Sequence, residues 1–267
     1  MRSVIIIPAR YKSSRYPGKP LVGLRGPDGT VKSLIRRSWE AAMAVPGVAE
    51  VHVATDDDRI RAAAEAFGAH VIMTSEDCRN GTERCAEAVA VAGIKADLVV
   101  NLQGDAPLTP PWFVTALIEA MAADAARGGG AEIATPVIRC DQTAFDNLLS
   151  DRHAGRVGGT TAVFDVNRRA LYFSKEVIPY TAGLEGGAIP VFHHVGLYAY
   201  RPQALAAYSG WPTGPLEANE GLEQLRFLEN GRPVLCVEVA AQGRVFWELN
   251  NPVDVGRIEA AMAQMGP

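Results

Sequence analysis

The sequence predicts an α/β fold, a mostly parallel sheet with helices on both faces. Two kinds of observation carry this. The apolar runs Val4-Ile5-Ile6-Ile7 and Leu98-Val99-Val100-Asn101-Leu102 read as strands buried on both sides. Between and after them, strand-like and helix-like segments alternate, which is the rhythm of βαβ units.

The elements follow in chain order. After the strand at 4–7, helical spacing covers 34–44 and a strand is expected at 51–54. Asp56, Asp57 and Asp58 come next, where carboxylates suit a helix N-terminus. That helix should run over 59–67, with Gly68 placed for its C-terminal cap. A short strand at 70–73 and a helix at 82–92 lead into the strand at 98–102. The Ala-rich stretch 111–126 reads as a long helix stopped by Gly128-Gly129-Gly130, and 133–138 as a strand. The rhythm breaks near Arg139. Residues 140–195 are richer in glycine, aromatics and alternating patterns, as at 160–165 and 171–174. They predict a β-rich insertion, an arm against a partner subunit. A strand at 195–200 returns to the main sheet, followed by a helix at 216–229, a strand at 234–239 and a terminal helix at 253–265. The 267 residues suit one α/β domain, 1–267, carrying the insertion at about 140–195.

Composition narrows the function. A net charge of −4 argues against nucleic acid and anionic membrane as partners, so any anion site must be a local concentration of charge. No apolar run approaches the roughly 18 residues of a membrane span, and the N-terminus lacks the layout of a signal peptide. Cys78, Cys85, Cys140 and Cys236 form no C-x-x-C pair, which suits free thiols in a cytoplasmic protein. The histidines show no H-x-x-x-H zinc spacing.

The segment behind the first strand is the strongest chemical signal. Pro8-Ala9-Arg10-Tyr11-Lys12-Ser13-Ser14-Arg15-Tyr16-Pro17-Gly18-Lys19-Pro20-Leu21 holds Arg10, Lys12, Arg15 and Lys19 with no acid among them. Cations packed at the carboxyl end of a buried strand repel one another unless an anion, most simply a polyphosphate, sits there. Pro8, Pro17, Gly18 and Pro20 stiffen the loop, so less entropy is lost on binding. It is neither a P-loop nor a G-x-G-x-x-G dinucleotide fingerprint.

Further candidates cluster at other strand and helix ends. The strand at 98–102 runs into Gln103-Gly104-Asp105-Ala106-Pro107, so Asp105 should lie beside the basic loop. A carboxylate beside a triphosphate suits Mg²⁺. Thr55-Asp56 ends another strand. Asn80-Gly81-Thr82-Glu83-Arg84 joins small polar donors, a helix start and an arginine, which suits a base or a phosphate, although Thr82 also suits an N-cap. From His194 onward, alternation puts His194, Gly196, Tyr198 and Tyr200 on one face, fit either for a polyhydroxylated ligand or for a half-exposed strand. Glu217, Glu220, Glu223 and Gln224 have the helical spacing of a solvated face.

Together, the first basic segment, Ala54-Thr55-Asp56, Gly81-Thr82-Glu83-Arg84, Gln103-Gly104-Asp105, His194-x-Gly-x-Tyr-x-Tyr-Arg201 and Leu222-Glu223-Gln224-Leu225-Arg226 resemble the 3-deoxy-manno-octulosonate (Kdo) cytidylyltransferase family, in that family's order and over nearly the whole chain. The resemblance implies a Rossmann-like nucleotidyltransferase fold, a homodimer, Mg²⁺ as cofactor, CTP, and an eight-carbon 3-deoxy-2-keto sugar acid. It implies transfer of CMP to the sugar's anomeric 2-hydroxyl with loss of pyrophosphate. Arg10 and Lys19 would then hold the triphosphate. Asp105 and Asn250 would hold Mg²⁺. Pro8, Ala9, Thr55, Asn80, Gly81, Thr82, Arg84 and Gln103 would line the nucleotide, and Gln103, His194, Tyr198, Glu220 and Gln224 the sugar. The chain departs from the family's pattern at Ala106 (Glu in the family), at Asn250 (Asp in the family), at Lys175 (Arg in the family) and across 152–161. The departures keep other acceptors open: an 8-amino analogue, another ulosonate, a phosphonate. They also keep open a protein that binds CTP without turnover.

Overall fold

The structure, a computed structural model, describes the chain apart from residues 14–15, 158, 183–187, 245–247 and 266–267. Arg15 of the basic loop is therefore outside the described residues.

The first half is the expected α/β alternation. β1 (Ser3–Ala9) is buried along its whole length. A hairpin, β2 (Gly23–Arg25) and β3 (Val31–Ser33), precedes α1 (Leu34–Met43). Then come β4 (Glu50–Thr55), α2 (Asp58–Ala66), β5 (His70–Met73), α3 (Gly81–Ala92), β6 (Leu98–Leu102), α4 (Pro111–Ala126) and β7 (Ile133–Arg139). Asp57 caps α2 by accepting from the Arg59 and Ile60 amides, as the acidic run suggests. The hairpin is absent from the sequence reading, although Pro27-Asp28-Gly29 is a turn signal.

The second half differs more. Residues 140–195 hold a helix, α5 (Gln142–His153), as well as β8 (Thr160–Phe164), β9 (Ala170–Ser174) and β10 (Phe192–His194). The strand expected at 195–200 starts later, as β11 (Leu197–Tyr200), because the chain turns between His194 and Leu197. A short helix, α6 (Pro202–Tyr208), adds to the expected elements. The helix expected over 216–229 is two, α7 (Pro215–Glu220) and α8 (Leu225–Glu229), broken at Gly221 with φ 62°. That backbone is left-handed, which only glycine adopts cheaply. β12 (Val234–Glu238) and α9 (Asp254–Met265) complete the fold.

A 10-stranded sheet runs β5-β4-β1-β6-β11-β7-β10-β8-β9, with β12 alongside β7. β5, β4, β1 and β6 are parallel neighbours; β11 is antiparallel to both β6 and β7. One apolar face packs on α1, α2 and α4, the other on α3, α6 and α8. α9 covers the hairpin and Leu34 through Ile258, Ala261 and Met262. All described cysteines are buried and unbridged. No described helix is long and apolar enough to cross a membrane.

The order places the crevice. From β1 the chain adds β4 and β5 on one side, then returns through α3 to lay β6 on the other side of β1. That reversal is a topological switch point, and ligands of open α/β sheets bind beyond the carboxyl strand ends there.

Candidate active site

A cleft sits at this switch point, beyond the carboxyl ends of β1 and β6. Pro8, Ala9, Arg10, Lys19, Asn80, Gly81, Arg84, Gln103 and Asp105 all line it. Three separate sequence segments that looked chemically interesting therefore meet.

Local backbone chemistry sets each group. Gly18, at φ 72°, opens the short 3-10 turn Lys19–Leu21, and its amide donates to the Tyr11 carbonyl at 2.9 Å. A Cβ there would lie 3.0 Å from the Tyr11 ring, so glycine is required twice over, for φ and for space. The turn aims Lys19 at Asp105: Nζ lies 2.5 Å from Oδ2. Lys19 also donates to the Leu249 carbonyl at 3.0 Å, and the Leu249 amide donates to the Asp105 carbonyl at 2.8 Å. Gly104 lets the ends of β1 and β6 touch, since a Cβ would sit 2.7 Å from the Pro8 carbonyl oxygen. Arg10 is exposed and reaches the Arg79 carbonyl at 3.4 Å.

The opposite wall is the start of α3. Asn80 caps it, accepting from the Glu83 amide at 2.9 Å, so the cap is Asn80 rather than Thr82. Arg84 is buried, 3.2 Å from Asp56 Oδ2 and 2.6 Å from Thr74 Oγ1. Thr55 and Thr82 are fully buried behind the lining. The Thr82 hydroxyl shares a 2.7 Å hydrogen bond with the Tyr200 hydroxyl.

Of the residues expected at the sugar, Gln103 lines the cleft, His194, Tyr198 and Gln224 are buried, and Glu220 is half-buried. Tyr198 donates to Gln224 Oε1 at 3.1 Å. His194 is buried against Thr135 at 2.8 Å. Burial, with the neighbouring His193, pushes its pKa down to about 3, so it is neutral at pH 7. Glu220 accepts from Ser174 Oγ at 2.6 Å and the Lys175 amide at 3.0 Å, tying α7 to β9. The Asn250 amide donates to Asp254 at 3.1 Å, and its side chain points toward Glu248.

Glu223 is the residue the sequence reading passed over as a site group. One oxygen accepts from the Thr82 amide at 3.0 Å and the other from Gln103 Nε2 at 3.2 Å. Desolvation holds its carboxyl above the usual range, against those hydrogen bonds. Its helical spacing is shared with Glu220, but after the break at Gly221 it meets Gln103, which lines the cleft. Beneath it, both polar atoms of fully buried Asn101 and the Nε2 of Gln224 have no hydrogen-bond partner. Unsatisfied groups of this kind beside a cleft mark a polar floor.

Comparison with known proteins decides the family. The cytidylyltransferase family model matches residues 4–237. The chain belongs to the cytidylyltransferases. A 3-deoxy-manno-octulosonate cytidylyltransferase of Maricaulis maris is 43% identical over 266 residues, covering 100% of this chain and 99% of that one. An 8-amino-3,8-dideoxy-manno-octulosonate cytidylyltransferase of Shewanella baltica is 39% identical over 264 residues, 98% of this chain and 99% of that one. The solved structure of CMP:2-keto-3-deoxy-manno-octonic acid synthetase complexed with CTP superposes with a TM-score of 0.83 at 37% identity, covering 99% of this chain and 100% of that chain. Fold and enzyme class thus agree with the sequence reading: this cytidylyltransferase is an α/β nucleotidyltransferase.

Proposed function

We propose that the enzyme transfers CMP from CTP to the anomeric 2-hydroxyl of Kdo or a close analogue, releasing pyrophosphate. The observation that carries this is the meeting of Arg10, Lys19 and Asp105 with the Asn80–Arg84 helix start in one cleft at the switch point. The relatives named for Kdo and for its 8-amino analogue support the acceptor class.

No covalent intermediate is required. Catalysis is positioning plus charge neutralisation. Arg10 and Lys19 hold the triphosphate and offset the charge that develops on the leaving pyrophosphate. Asn80, Gly81 and Gln103, with the α3 N-terminus, line the nucleoside. Glu223, Gln224 and Tyr198 face the acceptor from the polar floor.

Mg²⁺ fits the donor set. Asp105 offers a carboxylate that lines the cleft beside Lys19, whereas Asn250, the second ligand the resemblance implies, turns its side chain to Glu248. Among the described residues no group of three His, Cys, Asp or Glu could cage a metal alone. One carboxylate with substrate phosphates is the usual Mg²⁺ arrangement. Bound there, the ion would neutralise phosphate charge. A pyrophosphate-release assay with CTP and a panel of Kdo, 8-amino-Kdo, other ulosonates and phosphonates tests the reading. Release with none of these acceptors would defeat it.

A further inference from the structure

Arg226 ends the Leu222-Glu223-Gln224-Leu225-Arg226 segment, yet it is not among the residues that line the cleft. It is 1% exposed and lies between two carboxylates. Its Nε and Nη2 donate to Glu217 at 2.6 and 2.7 Å, and its Nη1 to Glu83 at 3.0 Å. The guanidinium lies 4.1 Å over the Tyr208 ring. Burial opposes the charge, but the bonds to Glu217 and Glu83 outweigh it and raise the Arg226 pKa. Buried ion pairs are seldom retained for stability, because desolvation offsets most of their attraction. The pairs here join three helices in a fixed geometry.

The geometry fixed here is specific. Glu83 is in α3, two residues from the start of the helix that walls the cleft. Glu217 is in α7, and Arg226 itself is in α8. The broken stretch between α7 and α8 carries Glu223 and Gln224. Arg226 therefore ties both sides of that break to the nucleotide wall. Tyr208 adds a second tie: its hydroxyl receives the Asn80 Nδ2 proton at 2.9 Å and donates to the Glu223 carbonyl at 3.1 Å.

We infer that Arg226 is a positioning residue, whose clamp on Glu83 and Glu217 holds Glu223 and Gln224 in register with the nucleotide wall and so sets acceptor recognition. The inference rests on the acceptor side of the proposed function. Without the clamp, the segment pivots at Gly221 while α3, capped by Asn80 and paired to Arg79, keeps its place.

Two conservative variants test it. Arg226→Lys keeps the charge but reaches one carboxylate; Glu217→Gln keeps the shape but weakens the clamp. Each should raise the acceptor KM by about tenfold, the scale of a small misplacement of a binding group, while CTP affinity measured by calorimetry without acceptor stays unchanged. In a Glu223→Gln background the Arg226→Lys effect on KM should shrink, because the clamp acts through that carboxylate. Folded variants with wild-type acceptor KM would overturn the inference, as would equal Arg226→Lys effects in both backgrounds. If Arg226→Lys does not fold, the isosteric Glu217→Gln decides alone. Wild-type protein that uses no sugar acid would instead defeat the functional reading, before any variant is compared.

Discussion

Lys19 and Asp105 hold each other at 2.5 Å across the mouth of the cleft, both only partly exposed. The carboxylate that would meet a metal is thus engaged by the ammonium that would meet the triphosphate. On the proposed reading, an arriving nucleotide would let Lys19 exchange one anion for another and would free Asp105.

Lys19→Met should therefore have opposite effects on the two ligands. Loss of one charge-assisted phosphate contact, about 1.5–3 kcal/mol, should weaken CTP use at least about tenfold. Without nucleotide, Mn²⁺ binding followed by electron paramagnetic resonance should become tighter than in wild type. Mn²⁺ affinity equal to wild type would show that Asp105 does not take the metal.

Arg10→Ala isolates phosphate binding from folding. Arg10 is exposed and makes one long hydrogen bond, to the Arg79 carbonyl. The melting temperature should stay put while CTP use falls about tenfold or more. Unchanged CTP affinity and turnover would remove Arg10 from the site.

Asn250→Asp addresses the departure from the family pattern. The Asn250 side chain points to Glu248, whose carboxylate lies 3.0 Å from where a Gly196 Cβ would be, on the Tyr198 side. An aspartate would set like charges together there. The expected result is lower activity on the native acceptor with no drop in the Mg²⁺ concentration for half-maximal rate. A lower Mg²⁺ requirement with an unchanged acceptor profile would assign position 250 to the metal.

His194 predicts a pH-dependent stability. Its folded pKa, about 3, lies below the ordinary histidine value, so the unfolded chain takes up a proton that the native state refuses. Stability should be complete above about pH 6.5 and fall as the pH drops toward 3, with a slope approaching 1.4 kcal/mol per pH unit from this group. Urea denaturation of wild type and His194→Gln between pH 7 and 5 measures the difference. Parallel curves would mean that the fold does not lower the His194 pKa.

The parts of this molecule that could be read from sequence are those fixed by local pattern. β1 and β6 are continuous apolar runs, and Asp57 is a short polar side chain at a helix start. Arg10, Lys19 and Asp105 could be gathered because strand ends in such sheets share one edge. What stayed hidden depends on tertiary context. α6 is too short for helical periodicity to emerge, and Gly221 splits a pattern that looks continuous. Glu220 and Glu223 have the same spacing, yet one ties β9 while the other faces Gln103. No periodicity separates them.

The buried sulfurs give the molecule a built-in set of opening reporters. Burial pushes the Cys140 thiol up to about 11 and those of Cys78 and Cys236 up to about 12, and holds that of Cys85 well above its ordinary value. Only the thiolate attacks an alkylating reagent, so each sulfur should stay inert until the structure around it opens. Cys85 reports on α3, Cys236 on β12 and Cys140 on the exit from β7. Mass-resolved labelling at neutral pH would rank the local opening rates of α3, β12 and the exit from β7 in one unmodified protein, and bound CTP should slow Cys85 first.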